Sequence, residues 1–259
     1  MRPVTLCFSG LDPSGGAGLQ ADIETIAALG GHAAVIATAL TVQDSQRVHG
    51  FQLTDPELMQ TQASHILADL PVSCIKLGML GSAAAVSAVL SSLASYQHLP
   101  VVLDPVLSAN SGGSLAQGGL REALLAALPQ VSVITPNSVE LRLLANCQDL
   151  AEAVSRLTKA GAKAIWLKGG HEPGKTLINT LYVQGELVMR SELRRLPGEF
   201  HGSGCTLAAA LAAGLAAGLT LPAAIEQSQA FVSAALEHAD RPHDEGQWLP
   251  RRIINTWRR

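Results

Sequence analysis

Short apolar runs recur along the chain and alternate with longer segments in which apolar residues return at helical spacing. The short runs predict buried strands at residues 4–8, 33–40, 73–77, 101–103, 131–134 and 164–167. A strand followed by a helix, repeated in this way, is typical of a mainly parallel sheet that helices cover on both faces. The pattern therefore predicts an α/β fold.

The first predicted helix follows a glycine-rich loop at residues 10–18. Its spacing predicts that Leu19, Ile23, Ile26 and Ala27 share the buried face. Further helices are expected from Asp55-Pro56 to about residue 70, after residue 81 to about 96, from residue 137, behind residue 205, and from residue 222. In the first of these, Asp55 is the expected cap and Pro56 the first helical residue, since proline tolerates a position that needs no amide donor.

Residues 177–183 have the composition of a strand, Gln184-Gly185 favours a turn, and residues 186–189 favour a second strand. This predicts a small β-hairpin added to the sheet. One stretch, residues 205–225, is long enough to cross a bilayer, but its alanines and glycines, with Thr220 and Pro222, predict a buried pair of helices.

The composition supports one domain over residues 1–259, because we find no internal repeat, linker or second core. Apolar residues make up 47% of the chain and aromatic residues only 3%, so the core must consist of alanine, leucine and valine in closely packed helices. The formal net charge of −3 indicates neither a nucleic-acid partner nor a membrane partner. Four C-terminal arginines, Arg251, Arg252, Arg258 and Arg259, are expected in a solvated tail, and we assign no role to the chain after Arg241.

The four cysteines, Cys7, Cys74, Cys147 and Cys205, form no CxxC pair and no spacing typical of a metal site. Reduced thiols in a reducing compartment are the simplest interpretation. No charged and then apolar signal segment opens the sequence. These features predict a cytoplasmic protein.

Polar side chains follow the predicted strands at the points where the strands end: Asp12, Gln43, Asp104, Asn137 and Glu140, together with Met79. In a parallel sheet, ligands gather beyond the carboxyl ends of the strands. Lys168 follows another strand in the same way and is a candidate to bind phosphate, although a solvated loop lysine remains the alternative. The shared position of these residues predicts a single binding site.

The segment His201-Gly202-Ser203-Gly204-Cys205 runs into an alanine- and leucine-rich helix. The glycines permit a turn, and the free amides of a helix N-terminus bind anions. Cys205 lies within this turn, where the helix dipole and free amides are expected to favour its thiolate. The alternative is a glycine-rich turn before a packed helix that carries an inert cysteine.

Two nucleotide-binding patterns match the sequence but lack their required context. Residues 16–21 fit the dinucleotide fingerprint, yet Asp44 follows a polar loop rather than standing at a strand tip. Residues 169–176 fit the Walker A pattern, but a strand rather than a helix is predicted to follow. We therefore expect neither a dinucleotide-dependent oxidoreductase nor a phosphate-binding loop at residues 169–176.

Seven segments, in order, resemble the ribokinase-like superfamily, and within it the hydroxymethylpyrimidine/phosphomethylpyrimidine kinases of thiamine biosynthesis. They are residues 10–22 (GLDPSGGAGLQAD), 38–44 (TALTVQD), 76–80 (KLGML), 104–106 (DPV), 135–140 (TPNSVE), 168–171 (KGGH) and 201–206 (HGSGCT). The resemblance implies a ribokinase-like fold. It also implies that ATP phosphorylates 4-amino-5-hydroxymethyl-2-methylpyrimidine and then its monophosphate, in one site.

For the acceptor, the resemblance implies a pyrimidine beside the first glycine loop at Gly10. Gln43 would hydrogen-bond the aminopyrimidine edge, Asp22 would help hold the polar rim, and Met79 and Val106 would pack on the ring. The alternatives are a helix cap for Asp22, a loop amide for Gln43, and ordinary core residues for Met79 and Val106.

For the phosphoryl transfer, the resemblance implies that the amides of Gly202, Ser203, Gly204 and Cys205 hold the phosphoryl oxygens and that Cys205 accepts the hydroxyl proton. Lys168 would contact the nucleotide phosphates, Asn137 and Glu140 would organise Mg²⁺, and Asp104 would assist electrostatically. For Asn137 and Glu140 the alternative is a helix cap and a first-turn acid.

The sequence departs from the family pattern in two places. Ser203 replaces the usual threonine and keeps the hydroxyl, and Asn179 replaces an aspartate, which puts a contact near the nucleotide in doubt. The competing functions are a pyridoxal kinase of vitamin B6 salvage and a pyrimidine-binding sensor without catalysis. Relatives are often homodimers, although no apolar stripe in the sequence points to an interface.

Overall fold

The computed structural model describes residues 1–107, 118–244 and 246–253, and these residues form nine strands and eight α-helices. The strands are β1 (Val4–Leu11), β2 (His32–Gln43), β3 (Val48–Leu53), β4 (Val72–Leu77), β5 (Val101–Leu103), β6 (Val133–Ile134), β7 (Ala164–Leu167), β8 (Thr176–Val183) and β9 (Glu186–Arg194). The helices are α1 (Gly18–Ala28), α2 (Pro56–Asp69), α3 (Ala83–Ser92), α4 (Leu120–Ala127), α5 (Ser138–Ala145), α6 (Leu150–Lys159), α7 (Ser203–Ala216) and α8 (Leu221–Glu237).

All nine strands belong to one sheet with the order β3-β2-β1-β4-β5-β6-β7-β8-β9. The six strands from β2 to β7 pair in parallel, while β3, β8 and β9 are antiparallel to their neighbours. The predicted α/β fold is confirmed, with its mostly parallel sheet and its added hairpin, β8–β9. The extent of one domain over residues 1–259 stays a prediction.

Side chains of the central strands alternate between two cores, as the two-residue period of a strand requires. Ile75, Leu103 and Ile134 point into the larger core, which includes residues of helices α2 to α6. Their neighbours, among them Cys74 and Val102, point into the second core against α7 and α8. Helices therefore cover both faces of the sheet.

Helix α7 is buried along most of its length, because every residue from 206 to 214 is buried. Alanine and glycine allow it to pack closely between the sheet and α8. This confirms the prediction of a buried helix pair for residues 205–225. Within the part of the chain that the structure describes, no helix has the length and apolar character needed to span a membrane.

The buried face of α1 differs from the prediction. Leu19 and Ile26 are buried, but Ile23 is exposed, as is Ala27, and the face that packs inward also carries Asp22 and Thr25. The apolar spacing alone misassigned this face because a buried charged residue occupies one of its positions. The helix predicted from Asp55-Pro56 is confirmed, and the Asp55 side chain accepts from the Glu57 amide.

The polar loop expected after residue 40 is instead the end of a hairpin. Strand β2 continues to Gln43 and pairs with β3, which we did not predict. The Asp44 carboxylate accepts from the amides of Gln46 and Arg47 and thereby closes the turn. Helices α4 and α6 were also not predicted.

The chain after Arg241 is not a free tail. Trp248 packs edge-on against Phe200 with ring centroids 5.7 Å apart, and its backbone bonds to Glu199 and His201. Arg252, expected in solvent, is only 3% exposed. The residues between Asp240 and this segment therefore bring the end of the described chain back to the 201–206 turn. The predicted solvated ends at Arg258 and Arg259 lie outside the described residues.

Candidate active site

One cavity of about 610 Å³ opens beyond the carboxyl ends of the parallel strands and the N-terminus of α7. Every predicted site residue except Asp22 lines it: Gly10, Gln43, Met79, Asp104, Val106, Asn137, Glu140, Lys168, Gly202, Ser203, Gly204 and Cys205. These residues come from both halves of the sheet and from α7. The fold thus brings together groups that are far apart in the sequence.

Gly202 shapes the turn that begins α7. It caps the helix with a left-handed backbone, φ +76°, and a Cβ at this position would collide with the carbonyl oxygen of Gly16. The first intrahelical bond joins the Thr206 amide to the Gly202 carbonyl, at 2.9 Å. The amides of Ser203, Gly204 and Cys205 consequently have no partner inside the helix, which is the arrangement that binds anions.

Cys205 lies in the first turn of α7, lines the cavity and is half-buried. Burial raises the pKa of its thiol, although Lys76 and the Gly18 amide favour the thiolate. The expected stabilisation of the thiolate by the helix N-terminus is therefore outweighed by desolvation. The pKa of the Cys205 thiol therefore lies above that of an ordinary cysteine.

Lys168 stands at the end of β7 and faces two carboxylates. Its Nζ lies 2.8 Å from Asp104 Oδ1 and 3.9 Å from Glu140 Oε2. Burial lowers the pKa of Lys168, but the carboxylates outweigh this effect and raise it. A Cβ on Gly204 would lie 3.3 Å from Lys168 Nζ, so the lysine directly adjoins the α7 turn. The alternative of a solvated loop lysine is excluded.

Asn137 and Glu140 form a reciprocal cap at the start of α5. The Asn137 side chain accepts from the Glu140 amide at 2.8 Å, and Glu140 Oε2 accepts from the Asn137 amide at 2.7 Å. This is the helix-cap alternative considered from the sequence, and both residues line the cavity as well. Burial raises the pKa of Glu140 above its usual range. Lys168 offsets part of this effect, and nearby Asp104 adds to it.

Gly10, Met79 and Val106 form an apolar wall of the cavity. A Cβ on Gly10 would lie 3.0 Å from Met79 Sδ, so a larger residue would crowd the methionine side chain. Met79 forms a small apolar cluster with Ala39, and Val106 and Phe51 of β3 pack against this cluster. Gln43, at the end of β2, lines the same region. Glycine and methionine thus fit the ring-binding wall that the resemblance implies.

Asp22 does not reach the cavity. Its carboxylate is completely buried, 2.9 Å from Lys76 Nζ, and it accepts a bond from the Ser9 hydroxyl at 2.7 Å. Lys76 donates to the same hydroxyl oxygen at 2.9 Å. The expected position of Asp22 at the polar rim is wrong, because the residue is needed to neutralise Lys76 behind the cavity wall.

Asp12 was expected at the binding site without a specific role, and Lys76 and His201 were given none. Asp12 Oδ2 lies 2.7 Å from His201 Nε2, and the carboxylate also accepts from the amides of Ser14 and Ala17. Burial raises the pKa of Asp12, but hydrogen bonding to His201 and other side chains outweighs it and lowers the pKa. A lysine inside the apolar run of β4 was the available signal for the buried ion pair.

The segment 169–176 is not a phosphate-binding loop, since strand β8 begins at Thr176. The Arg195 guanidinium bonds to the carbonyls of Gly170, Glu172 and Gly174 and so fixes this segment. Asn179, where the family pattern has an aspartate, accepts from the Gly169 amide at 3.0 Å. The asparagine therefore supports the loop that carries Lys168.

The family model described as "Phosphomethylpyrimidine kinase" matches residues 12–247. A multifunctional thiamine biosynthesis protein ThiED of Corynebacterium glutamicum is 37% identical over 98% of the chain, which spans 35% of that relative. The chain thus spans about a third of the length of this relative. A hydroxymethylpyrimidine/phosphomethylpyrimidine kinase of Escherichia coli is 35% identical over 91% of both chains.

Among solved structures, pyridoxal kinase from Staphylococcus aureus in complex with AMP-PCP and pyridoxal resembles this chain with a TM-score of 0.86. The two sequences are 26% identical, and the likeness covers 99% of this chain and 96% of the other. The fold is therefore shared with a kinase that binds an ATP analogue.

Proposed function

The chain belongs to the phosphomethylpyrimidine kinase family, and on this premise we propose that it phosphorylates 4-amino-5-hydroxymethyl-2-methylpyrimidine and then its monophosphate. ATP is the phosphate donor, and the product is a diphosphate for thiamine biosynthesis. The observation that carries this proposal is the meeting of Lys168, its two carboxylates and the free amides of α7 around one cavity.

Phosphoryl transfer depends mainly on alignment of donor and acceptor and on neutralisation of the charge that develops. The amides of Ser203, Gly204 and Cys205 supply fixed donors for the transferring oxygens, and Lys168 supplies a cation beside Gly204. Cys205 takes the proton from the acceptor hydroxyl as the oxygen attacks phosphorus. The bond from phosphorus to the leaving oxygen of the nucleotide then breaks, and the nucleoside diphosphate leaves.

Asp104 and Glu140 fit a magnesium nucleotide. Both are buried carboxylates on the cavity wall within 4 Å of Lys168 Nζ. Among the described residues, no group of three or more histidine, cysteine or acidic side chains forms a metal cage. This suits Mg²⁺, which keeps water and substrate phosphates in its coordination shell and needs only one or two carboxylates. When bound, Mg²⁺ supplies positive charge that offsets the charge of the nucleotide phosphates.

Gln43 and the wall of Gly10, Met79 and Val106 form the acceptor end of the site. A glutamine amide both donates and accepts, which matches the amino group and ring nitrogen of an aminopyrimidine. The second candidate function is phosphorylation of pyridoxal, because the likeness to the S. aureus pyridoxal kinase extends over nearly the whole chain. Both acceptors carry a hydroxymethyl group on a nitrogen heterocycle.

The protein acts in the cytoplasm as a homodimer. The support for the dimer is an exposed apolar patch at the start of the β2–β3 hairpin, made of Leu11, Leu40 and Val42. Leu40 and Val42 lie two residues apart on one strand, and Leu11 pairs with Leu40 across β1 and β2. All three therefore lie on one face of the sheet.

The deciding experiment offers the purified protein hydroxymethylpyrimidine, its monophosphate and pyridoxal in separate reactions with Mg²⁺ and ATP, followed by identification of the products. We expect turnover of hydroxymethylpyrimidine and of the monophosphate. Turnover of pyridoxal alone would assign the protein to vitamin B6 salvage. Binding of the pyrimidine without any transfer would show a sensor and reject the proposed activity.

A further inference from the structure

Arg252 bonds to two adjacent loops that both border the transfer site. Its Nε donates to the Thr206 hydroxyl at 2.8 Å, in the first turns of α7. Its terminal nitrogens donate to the carbonyl oxygens of Gly15, at 3.2 Å, and Gly16, both in the first glycine loop. The guanidinium also lies 3.2 Å from the carboxylate of Glu24 in α1. One buried side chain thus contacts the glycine loop, α1 and α7.

The two loops have different tasks in the proposed reaction. The first glycine loop, residues 12–18, adjoins Gly10 and lines the acceptor end of the cavity. The turn 202–205 presents the amides for the phosphoryl group. Their mutual placement sets the distance and angle between the acceptor hydroxyl and the phosphorus atom, on which the rate depends strongly.

Three further contacts bring the loops together. His201 bonds to Asp12, Gly202 packs against the carbonyl of Gly16, and the Gly18 amide bonds to the Cys205 thiol. The planar guanidinium donates in several fixed directions at once, so it restrains how one loop is rotated relative to the other. Lysine has a single charged nitrogen and lacks this geometry.

We propose that Arg252 is a positioning residue for phosphoryl transfer, which aligns the acceptor loop 12–18 with the phosphoryl-binding turn 202–205. This inference rests on the proposed kinase function. Nothing in the sequence near Arg252 indicates such a role, since 236 residues separate it from Gly16. The basic C-terminal cluster instead suggested a solvated end.

The test compares Arg252→Gln and Arg252→Lys with Arg251→Gln in the full chain. Arg251 is a matched control because it is the preceding residue, half-exposed, and paired with Asp240 on the surface. We expect Arg252→Gln to lower kcat about 100-fold, because a shift of roughly 1 Å between the two loops misaligns the reacting groups. KM for ATP and for the acceptor should change little. Arg252→Lys should recover part of the rate, and Arg251→Gln should match the unaltered protein.

Thermal unfolding and amide hydrogen exchange accompany the kinetics, so that a loss of folding is recognised. We expect residues 12–18 and 202–206 to exchange faster together in Arg252→Gln but not in Arg251→Gln. Unchanged kcat in a folded Arg252→Gln protein would overturn the inference. If the unaltered protein transfers no phosphate, the proposed function fails, and unchanged exchange of both segments would then overturn the inference separately.

Discussion

Cys205 combines two opposing influences on one thiol. It lies in the first turn of α7, where the free amides favour an anion, yet burial raises the pKa of the thiol and dominates. The nearby Lys76 ammonium reduces this effect without reversing it. Cys205 can therefore accept a proton only in the small fraction of molecules in which it is a thiolate.

The raised pKa of Cys205 has a consequence for the pH dependence of the reaction. Because deprotonation is required for proton acceptance, kcat/KM for hydroxymethylpyrimidine should rise about tenfold per pH unit below the pKa of the thiol and level off above it. Cys205→Ala should lower kcat by about 10²–10⁴-fold with little change in KM for ATP. Steady-state rates measured across neutral and alkaline pH check both expectations.

Cys205→Asp and Cys205→Ser are the matched controls. A carboxylate is already ionised at neutral pH, so the aspartate variant should lose the alkaline rise, whereas the serine variant should be slow at every pH. An unchanged pH profile in Cys205→Ala would mean that another group accepts the proton.

Residues that lie next to a recognisable sequence pattern were easier to predict than residues that lie far from one. Asp104, Lys168 and Glu140 were identified because each follows a predicted strand, and parallel strands end at one edge of the sheet. Asp22 was assigned to the wrong place, since the sequence does not show that Lys76 needs a buried partner from α1. Arg252 was missed because its contacts lie at the other end of the chain.

At the scale of elements, an ion pair inside the fold connects α1 with two strands. Asp22 on α1 pairs with Lys76 on β4, and both bond to the hydroxyl of Ser9 on β1. Burial lowers the pKa of Lys76, but Asp22 outweighs it and raises the pKa, so the lysine keeps its charge. The pair fixes α1 directly behind Cys205 and the first glycine loop.

Replacing one residue of this pair should destabilise the protein more than replacing both. Lys76→Met leaves the Asp22 carboxylate buried without its partner, so we expect a loss of about 3–5 kcal/mol in the free energy of unfolding. The double variant Asp22→Asn with Lys76→Met should lose much less than the sum of the two single variants. Unfolding in urea, followed for the unaltered protein and all three variants, measures the coupling between the two residues.

The loss in Lys76→Met should be smaller at acid pH. An unpaired buried carboxyl has a raised pKa in the folded state, so its stability contribution is greatest at low pH and is lost as pH rises. Lys163→Met is the control, since Lys163 is exposed just before β7 and its removal should change stability by less than about 0.5 kcal/mol. Additive single and double effects would show that the two charges are not coupled.

The elements themselves were predictable where apolar runs were continuous. Strands β4, β5 and β7, buried between two layers of helices, appear in the sequence as uninterrupted apolar segments. Strand β3 is an edge strand with no fully buried residue, and its apolar residues, Val48, Phe51 and Leu53, do not form a continuous run. The hairpin that completes the acceptor end of the site was missed for this reason.

At the scale of the whole molecule, the β2–β3 hairpin has two different faces. Thr41 and Gln43 point to the cavity, while Leu40 and Val42 point the other way and are 50% and 63% exposed. The opposite edge of the sheet also exposes apolar residues, Leu187 and Val188, but as neighbours in one strand they alternate between its two faces. The hairpin therefore carries the more continuous apolar patch.

A homodimer built on this patch would place an interface directly behind the strand that holds Gln43. We expect the protein to have about twice its chain mass of 26.9 kDa in solution, and the double variant Leu40→Glu with Val42→Glu to have the single-chain mass, because two like charges would enter an apolar contact on each side. Light scattering after size-exclusion chromatography measures both. Leu187→Glu, at the opposite edge, should remain dimeric. A monomeric unaltered protein, or dissociation by Leu187→Glu alone, would reject the hairpin as the interface.

If the dimer forms there, the double variant should also raise KM for the acceptor more than KM for ATP, since the loss of support for β2 reaches Gln43 before it reaches Lys168.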